Sequence, residues 1–339
     1  MIYKGYPMIS IALTTFNGEK FLKEQIDSIL TQTYTDIELI VCDDMSTDST
    51  KEILLNYAEN DCRCKVFFND TNLGFMKNFE KAISLCTGNY IALSDQDDIW
   101  EPSKLATLLS KIADYDFVCS DSLLVDENGF SQNITMKDVC NYHWIPRDTY
   151  SLFKRLLFTN IVQGSTILAR ADFLKSCPPA PPEIKFHDYW FALYSCAKNG
   201  FYYYDDCTIR YRQHSSNITN NKKLEFKTEL KKGVTSQEDY KKYCEFYEEK
   251  INQYKTLQNL IEFKPSQKKY ISSIIRYYSE LKDKSFYTFI FFALNCKYIY
   301  LDKNIFRNSI RITKRFLGFL YWKLFLRRRL FSSQDFHRE

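Results

Sequence analysis

The stretch Ile9–Tyr34, ISIALTTFNGEKFLKEQIDSILTQTY, changes its period halfway along. Ile9–Thr14 is a short β-rich run, whereas Phe21, Gln25, Ile26, Ile29 and Leu30 recur at helical spacing. The same alternation continues outward. Glu38–Cys42, Lys65–Phe68, Tyr90–Leu93 and Phe117–Cys119 are further strand candidates. Ser49 to Glu52 reads S-x-x-E, a capping box at a helix start, and Gly74–Leu85 places Phe75, Phe79, Ala82 and Ile83 on one helical face. A β-α-β-α-β-α-β order with right-handed crossovers predicts an α/β fold: a mostly parallel, Rossmann-like sheet flanked by helices, running to about Arg212.

The run CPPAPPE, Cys177–Glu183, carries four prolines that fix φ and remove donors, so it is expected to be an exposed connector before a helix starting near Asp188. After His214 the composition shifts to Lys, Glu and Tyr (222–233, then 238–263), predicting charged amphipathic helices. The expected domains are therefore residues 1–220 and a helical C-terminal extension over residues 221–339.

With 339 residues and 45% hydrophobic content, disorder and low-complexity classes are excluded. Eleven scattered cysteines lack paired CxxC spacing and fit a reduced, cytoplasmic chain, and the N-terminal residues do not read as an export signal. The net charge of +4 is uneven: residues 303–330 hold nine Lys/Arg and no acid, so the rest of the chain is net acidic.

In an open α/β sheet, ligands bind beyond the carboxyl ends of the strands. Those positions here are Thr14-Thr15-Phe16-Asn17, Asp43-Asp44 and Asp95-Gln96-Asp97-Asp98. No G-x-G-x-x-G, P-loop, G-x-S-x-G or H-E-x-x-H motif is present, which removes the usual dinucleotide, P-loop, hydrolase and zincin readings. A carboxylate rim binds a diphosphate only through a divalent cation, and Asp95 and Asp97 have the i, i+2 spacing to converge on one. Read alone, DQDD also fits a solvated acidic turn capping the next helix.

Four blocks in this order and spacing resemble the family 2 glycosyltransferases: residues 9–34, ELIVCDDMSTDST (38–50), NLGFMKNFEKAI (72–83) and TGNYIALSDQDDIW (87–100). The resemblance covers about residues 8–215 and implies a GT-A fold, a nucleotide-diphosphate sugar donor and Mn²⁺ or Mg²⁺. It implies that Thr14, Asp44 and Gly74 lie at the base, that Asp95 lies near the ribose and that Asp97 holds the metal, with Asp98 behind it. Asp188, in FHDYW, matches the family's general base and His214 its metal- or diphosphate-reaching histidine, although an N-cap and a structural histidine fit the same residues. Trp100, Gly164 and Trp190 are acceptor-side candidates, the tryptophans equally fitting a core.

The family's Q-x-x-R-W motif of processive synthases is missing, which implies single addition. SDQDDIW looks most like members that transfer L-rhamnose from dTDP-rhamnose to a glycan hydroxyl of capsule, cell-wall or O-antigen chains. UDP-hexoses, and a non-catalytic membrane-tethered binding module, are the alternatives. Residues 303–330 set an apolar stripe beside a basic one, and Phe286–Leu294 is too short to cross a bilayer. Peripheral contact with the inner membrane face, where a lipid-linked acceptor would sit, is expected, and nucleic acid is not.

Overall fold

The computed structural model describes residues 7–142, 144–215, 217, 237–281 and 286–300. The chain divides into two compact units: residues 1–140, 147–152 and 160–215 form the first, and residues 141–146, 153–159 and 216–339 the second. The second thus takes in two short segments from within the region assigned to the first domain by composition.

The first unit is built on β1 (Ile9–Thr15), β2 (Ile37–Asp43), β3 (Cys64–Phe68) and β4 (Tyr90–Ser94), all parallel in the order β3-β2-β1-β4. Between them lie α1 (Leu22–Leu30), α2 (Thr50–Asn60) and α3 (Phe75–Leu85). Every residue of β1 and β2 is buried, as expected of parallel strands covered on both faces. The sheet does not stay parallel. It continues β8-β6-β9-β5, where β5 is Ile99–Trp100, β6 Phe117–Val125, β8 Leu168–Arg170 and β9 Phe201–Arg212. There β8 is antiparallel to both β4 and β6, β5 is antiparallel to β9, and β7 (Ser131–Thr135) is antiparallel to β6. The nine-stranded sheet is therefore mixed.

The remaining helices of this region are α4 (Lys104–Lys111), α5 (Met136–Val139), α6 (Thr149–Leu156), α7 (Ala171–Ser176) and α8 (His187–Ser195). Ile9, Ile11, Leu13, Ile26, Ile29, Leu39 and Leu105 form the centre of the core. α3 buries Phe79, Ala82 and Ile83, with Asn78 beside them because its amide donates to the Cys42 carbonyl.

Two local expectations are corrected. Ser49 caps α2 without a side-chain hydrogen bond; Asp48 Oδ1 accepts from Thr50 N, and Ser49 N donates to Glu19, so this helix start is tied to the β1 loop instead of to itself. The proline-rich segment is irregular as expected, but Pro181 is buried, its carbonyl accepts from Ile184 N, and the Pro178 carbonyl accepts from Trp190 Nε1.

The second unit contains α9 (Gln237–Leu260), α10 (Pro265–Leu281) and α11 (Phe286–Tyr300). Aromatic pairs dominate it: Tyr277 stacks on Phe291 at 4.8 Å and Phe153 meets Phe263 at 5.2 Å. Arg155 Nη1 donates to the Tyr298 carbonyl. Among the described residues no helix is long and apolar enough to cross a membrane. The basic tail, 303–330, lies outside them.

Candidate active site

Strand register places the site. Thr15 pairs with Asp43, and Leu13 with Ser94, so the carboxyl ends of β1, β2 and β4 deliver Thr14, Asp44 and the Asp95–Asp98 turn to one edge. The loops there are tightly bonded. Gln96 pairs its side-chain amide with both Phe16 N (2.8 Å) and Phe16 O (3.0 Å), and a Cβ on Gly18 would stand 2.5 Å from Gln96 Oε1. Asp43 accepts from the Thr15 hydroxyl and from Ser46.

Asp44 is buried, and its carboxylate organises the loop from Asn69 to Gly74. Oδ1 accepts from Asn69 Nδ2 (2.8 Å) and Leu73 N (2.7 Å), and Oδ2 from Gly74 N (2.8 Å). Gly74 has φ +76°, and a Cβ there would meet nothing within 4 Å, so backbone conformation and not crowding selects glycine. Thr14 is also buried, and it pairs with Cys42 one step before the end of the β1–β2 register.

The acid turn is the electrostatic centre. Burial, then Asp97 and Asp188, push the Asp95 carboxyl up to about 7, with Lys104 opposing. Asp97 Oδ2 lies 2.9 Å from His214 Nε2, and the His214 ring packs on Phe21 with centroids 4.8 Å apart. Asp98 is fully buried; Oδ1 accepts from Arg212 N, and Oδ2 has no hydrogen-bond partner. Burial, then Asp97 and Asp95, push its carboxyl well up.

Asp188 stands in the first turn of α8, and its Oδ1 accepts from Asn160 Nδ2 (3.0 Å) and Tyr189 N. Its charge reaches Asp95, so residues 93 positions apart in sequence share one electrostatic site. His187, next to it, is buried with both ring nitrogens unpartnered; burial drives its pKa down to about 3 and keeps it neutral. The ring lies 4.1 Å from Phe79, and a Cβ on Gly164 would fall 2.6 Å from its Nε2.

The acceptor-side candidates are packing residues in this structure. Trp100 and Trp190 are each 2% exposed, and Gly164 makes its close approach to His187 rather than leaving room for a sugar. The indole of Trp100 is covered by Lys104, whose Nζ sits 3.3 Å from the ring centroid.

Three residues of this region escaped the sequence reading. Lys104 is fully buried and donates to the Ser165 carbonyl at 2.5 Å. Arg212 is 1% exposed; its Nε donates to the Asp97 carbonyl, its Nη1 to the Glu127 carbonyl and its Nη2 to Glu24, with Phe21 beneath it at 4.7 Å. Asn160 holds Asp188. Basic residues on a helix start or strand normally read as solvated, so nothing in the local pattern singles out the two cations. The one available signal was that Arg212 stands two residues before His214.

Among the described residues, no three His, Cys, Asp or Glu side chains form a ready-made metal cage. Asp97 and His214 form a hydrogen-bonded carboxylate–imidazole pair, two groups of the chemistry that could hold an ion whose shell is completed by phosphate oxygens.

A family model described as Glycosyl transferase family 2 matches residues 10–175, which includes the acid turn and stops short of Asp188 and His214. A glycosyltransferase of Haemophilus influenzae, itself uncharacterized, is 30% identical over 197 residues, 57% of this chain and 72% of that one. A second from the same organism is 27% identical over 247 residues, 67% of this chain and 72% of that one. Among solved structures, Staphylococcus aureus TarS 1–349 in complex with UDP-GlcNAc superposes with a TM-score of 0.52 at 18% identity, covering 93% of this chain and 81% of that one. That likeness shows a shared GT-A-like fold. The sequence relatives and the family model, which agrees with the four blocks read from the sequence, show that this chain belongs to glycosyl transferase family 2.

Proposed function

We propose that the chain transfers one sugar, with inversion, from a nucleoside-diphosphate sugar to a hydroxyl of a growing bacterial surface glycan. The observation that carries this reading is the convergence of Asp188 on the Asp95–Asp97 turn, beside the Asp97–His214 pair.

In this account Thr14, Asp44 and Gly74 bound the nucleotide pocket. The base-facing edge is rigid because Asp44 holds Leu73 and Gly74 by their backbone amides. Asp95 lies toward the ribose. Asp97 and His214 hold Mn²⁺ or Mg²⁺, which when bound offsets the charge on the departing diphosphate. Asp188 takes the acceptor hydroxyl's proton as that oxygen attacks the anomeric carbon. Asn160 and the Tyr189 amide fix the Oδ1 edge of its carboxylate, so its orientation is set before the acceptor arrives. The buried, neutral His187 adds no competing charge beside it.

The donor favoured by the SDQDDIW resemblance is dTDP-L-rhamnose, with a UDP-hexose the second choice. The acceptor is proposed to be lipid-linked, met at the cytoplasmic membrane face through the basic tail.

Asp188→Asn tests the assignment. The variant is expected to bind nucleoside diphosphate and Mn²⁺ as the parent does while losing at least about a hundredfold in transfer rate, as removal of a general base does. Parent-like transfer would overturn the base assignment, and loss of nucleotide binding together with transfer would make Asp188 a structural cap.

A further inference from the structure

Phe21 is the N-cap residue of α1 and shares the helical period of that segment, yet its ring does not join the core. Leu22, Ile26 and Ile29 of the same helix enter the core and Leu30 packs against it, whereas Phe21 stands apart, half-buried. Its ring meets polar partners instead. The His214 and Phe21 ring centroids are 4.8 Å apart, and the Arg212 guanidinium carbon lies 4.7 Å from the Phe21 centroid. An aromatic ring is a favourable partner for a guanidinium and for a second flat ring.

Both sides of this contact are anchored. Phe21 N donates to the Gly18 carbonyl and the Phe21 carbonyl accepts from Gln25 N, so the ring projects from a fixed turn. Arg212 closes β9 and reaches the same helix turn, where its Nη2 pairs with Glu24, three residues beyond Phe21. His214 lies two residues past the end of β9, so strand pleat and register no longer aim its side chain. An imidazole there has several rotamers to choose among, and a ligand pair is effective only when both groups are held near the bound geometry in advance. Its Nε2 is nonetheless 2.9 Å from Asp97 Oδ2. The Phe21 ring is the wall against which that rotamer rests.

We propose that Phe21 is a positioning residue: its ring seats the His214 imidazole in the rotamer that meets Asp97, while Arg212 pins the end of β9 to the same ring and helix turn. The consequence for metal and nucleotide rests on the functional reading above; the seating of the imidazole does not.

The test uses the full chain with Phe21→Leu, which keeps an apolar side chain without a ring, and Phe21→Tyr, which keeps the ring. Isotope-labelled histidine side chains are followed by NMR, with His214→Ala assigning the His214 signals. In Phe21→Leu those signals should move and broaden as the shielding of the ring is lost and the imidazole samples other rotamers. In Phe21→Tyr they should stay near those of the parent. Unmoved signals in Phe21→Leu overturn the proposal, as does a Phe21→Tyr chain whose signals move as far as those of Phe21→Leu. A Phe21→Leu chain that fails to fold makes the ring a support of the fold and also overturns it. The second readout is titration calorimetry of dTDP and UDP with and without Mn²⁺. Phe21→Leu should weaken the Mn²⁺-dependent binding several-fold and leave the Mn²⁺-free binding unchanged, Phe21→Tyr should restore it, and Phe21→Leu combined with His214→Ala should bind no more weakly than His214→Ala alone. Parent-like Mn²⁺-dependent binding in Phe21→Leu, or additive losses in the pair, overturns the positioning role. If His214→Ala binds as the parent does, the metal reading fails, and the NMR signals alone decide on Phe21.

Discussion

Asp97 Oδ2 and His214 Nε2 stand 2.9 Å apart across 117 residues of chain, one on the turn after β4 and the other just beyond the end of β9. Arg212 fixes that meeting: its backbone N–H donates to Asp98 and its guanidinium to the Asp97 carbonyl, so the strand end and the acid turn are held together by the chain's own hydrogen bonds. His214→Ala should leave the fold intact and weaken Mn²⁺-dependent nucleoside diphosphate binding by about tenfold or more, as loss of one ligand to a metal does. Titration calorimetry with and without Mn²⁺ checks this, and equal affinity for both proteins would remove His214 from the metal.

Gly164 has no room for a methyl group. Gly164→Ala should destabilise the protein by about 1–3 kcal/mol, because His187 is enclosed by Phe75, Phe79 and Phe191 and its ring lacks an easy way to move. Urea unfolding measures the loss. Adding His187→Ala to Gly164→Ala should cost less than the two single changes summed, and strict additivity would show that the contact is not what excludes alanine.

His187 also sets a pH limb. Its folded pKa, near 3, lies below the ordinary 6.5, so the unfolded chain takes up the proton first, and stability falls as pH drops from about 6.5 toward 3. The slope contributed is roughly 1.4 kcal/mol per pH unit within that window. His187→Leu should flatten the pH dependence of unfolding between pH 6 and about 4; an unchanged slope would mean that the imidazole is protonated in the fold.

At the opposite end of the sheet, Glu38 joins β2 to its neighbours. Burial acts to raise its pKa, yet hydrogen bonds from Lys65, Ser10 and Thr87 outweigh burial and bring it to about 2. A lowered carboxyl stabilises above its unfolded pKa, and that stability is lost as pH falls from about 4.5 toward 2. Glu38→Gln should lower Tm at pH 7 and lose less between pH 5 and 3 than the parent does.

The parallel half of the sheet was legible in the sequence because its strands are covered on both faces and write themselves as apolar runs: Ile9–Thr14 and Glu38–Cys42 each fall within one residue of the observed strand ends. The antiparallel half was not. β8 is only three residues long, and its place between β4 and β6 is set by tertiary pairing, which leaves no periodic signal. The acidic residues after the strands were readable as polar residues directly following apolar runs, whereas the burial of Lys104 was hidden because a helix-start lysine does not announce it. Trp100 and Trp190 show the converse: ring chemistry suited to a sugar, placed in the core.

The proposed function stands or falls with a nucleotide site completed by a divalent cation on Asp97 and His214. The most direct measurement is the thermal shift of the full chain with dTDP, UDP, GDP and CDP, each with and without Mn²⁺, since a ligand of the native state raises Tm by mass action. The expected result is a shift of several degrees that requires Mn²⁺ and is largest for dTDP. A largest shift with UDP would move the donor to the hexoses. No shift with any of the four, in a folded sample, would contradict the nucleotide site itself.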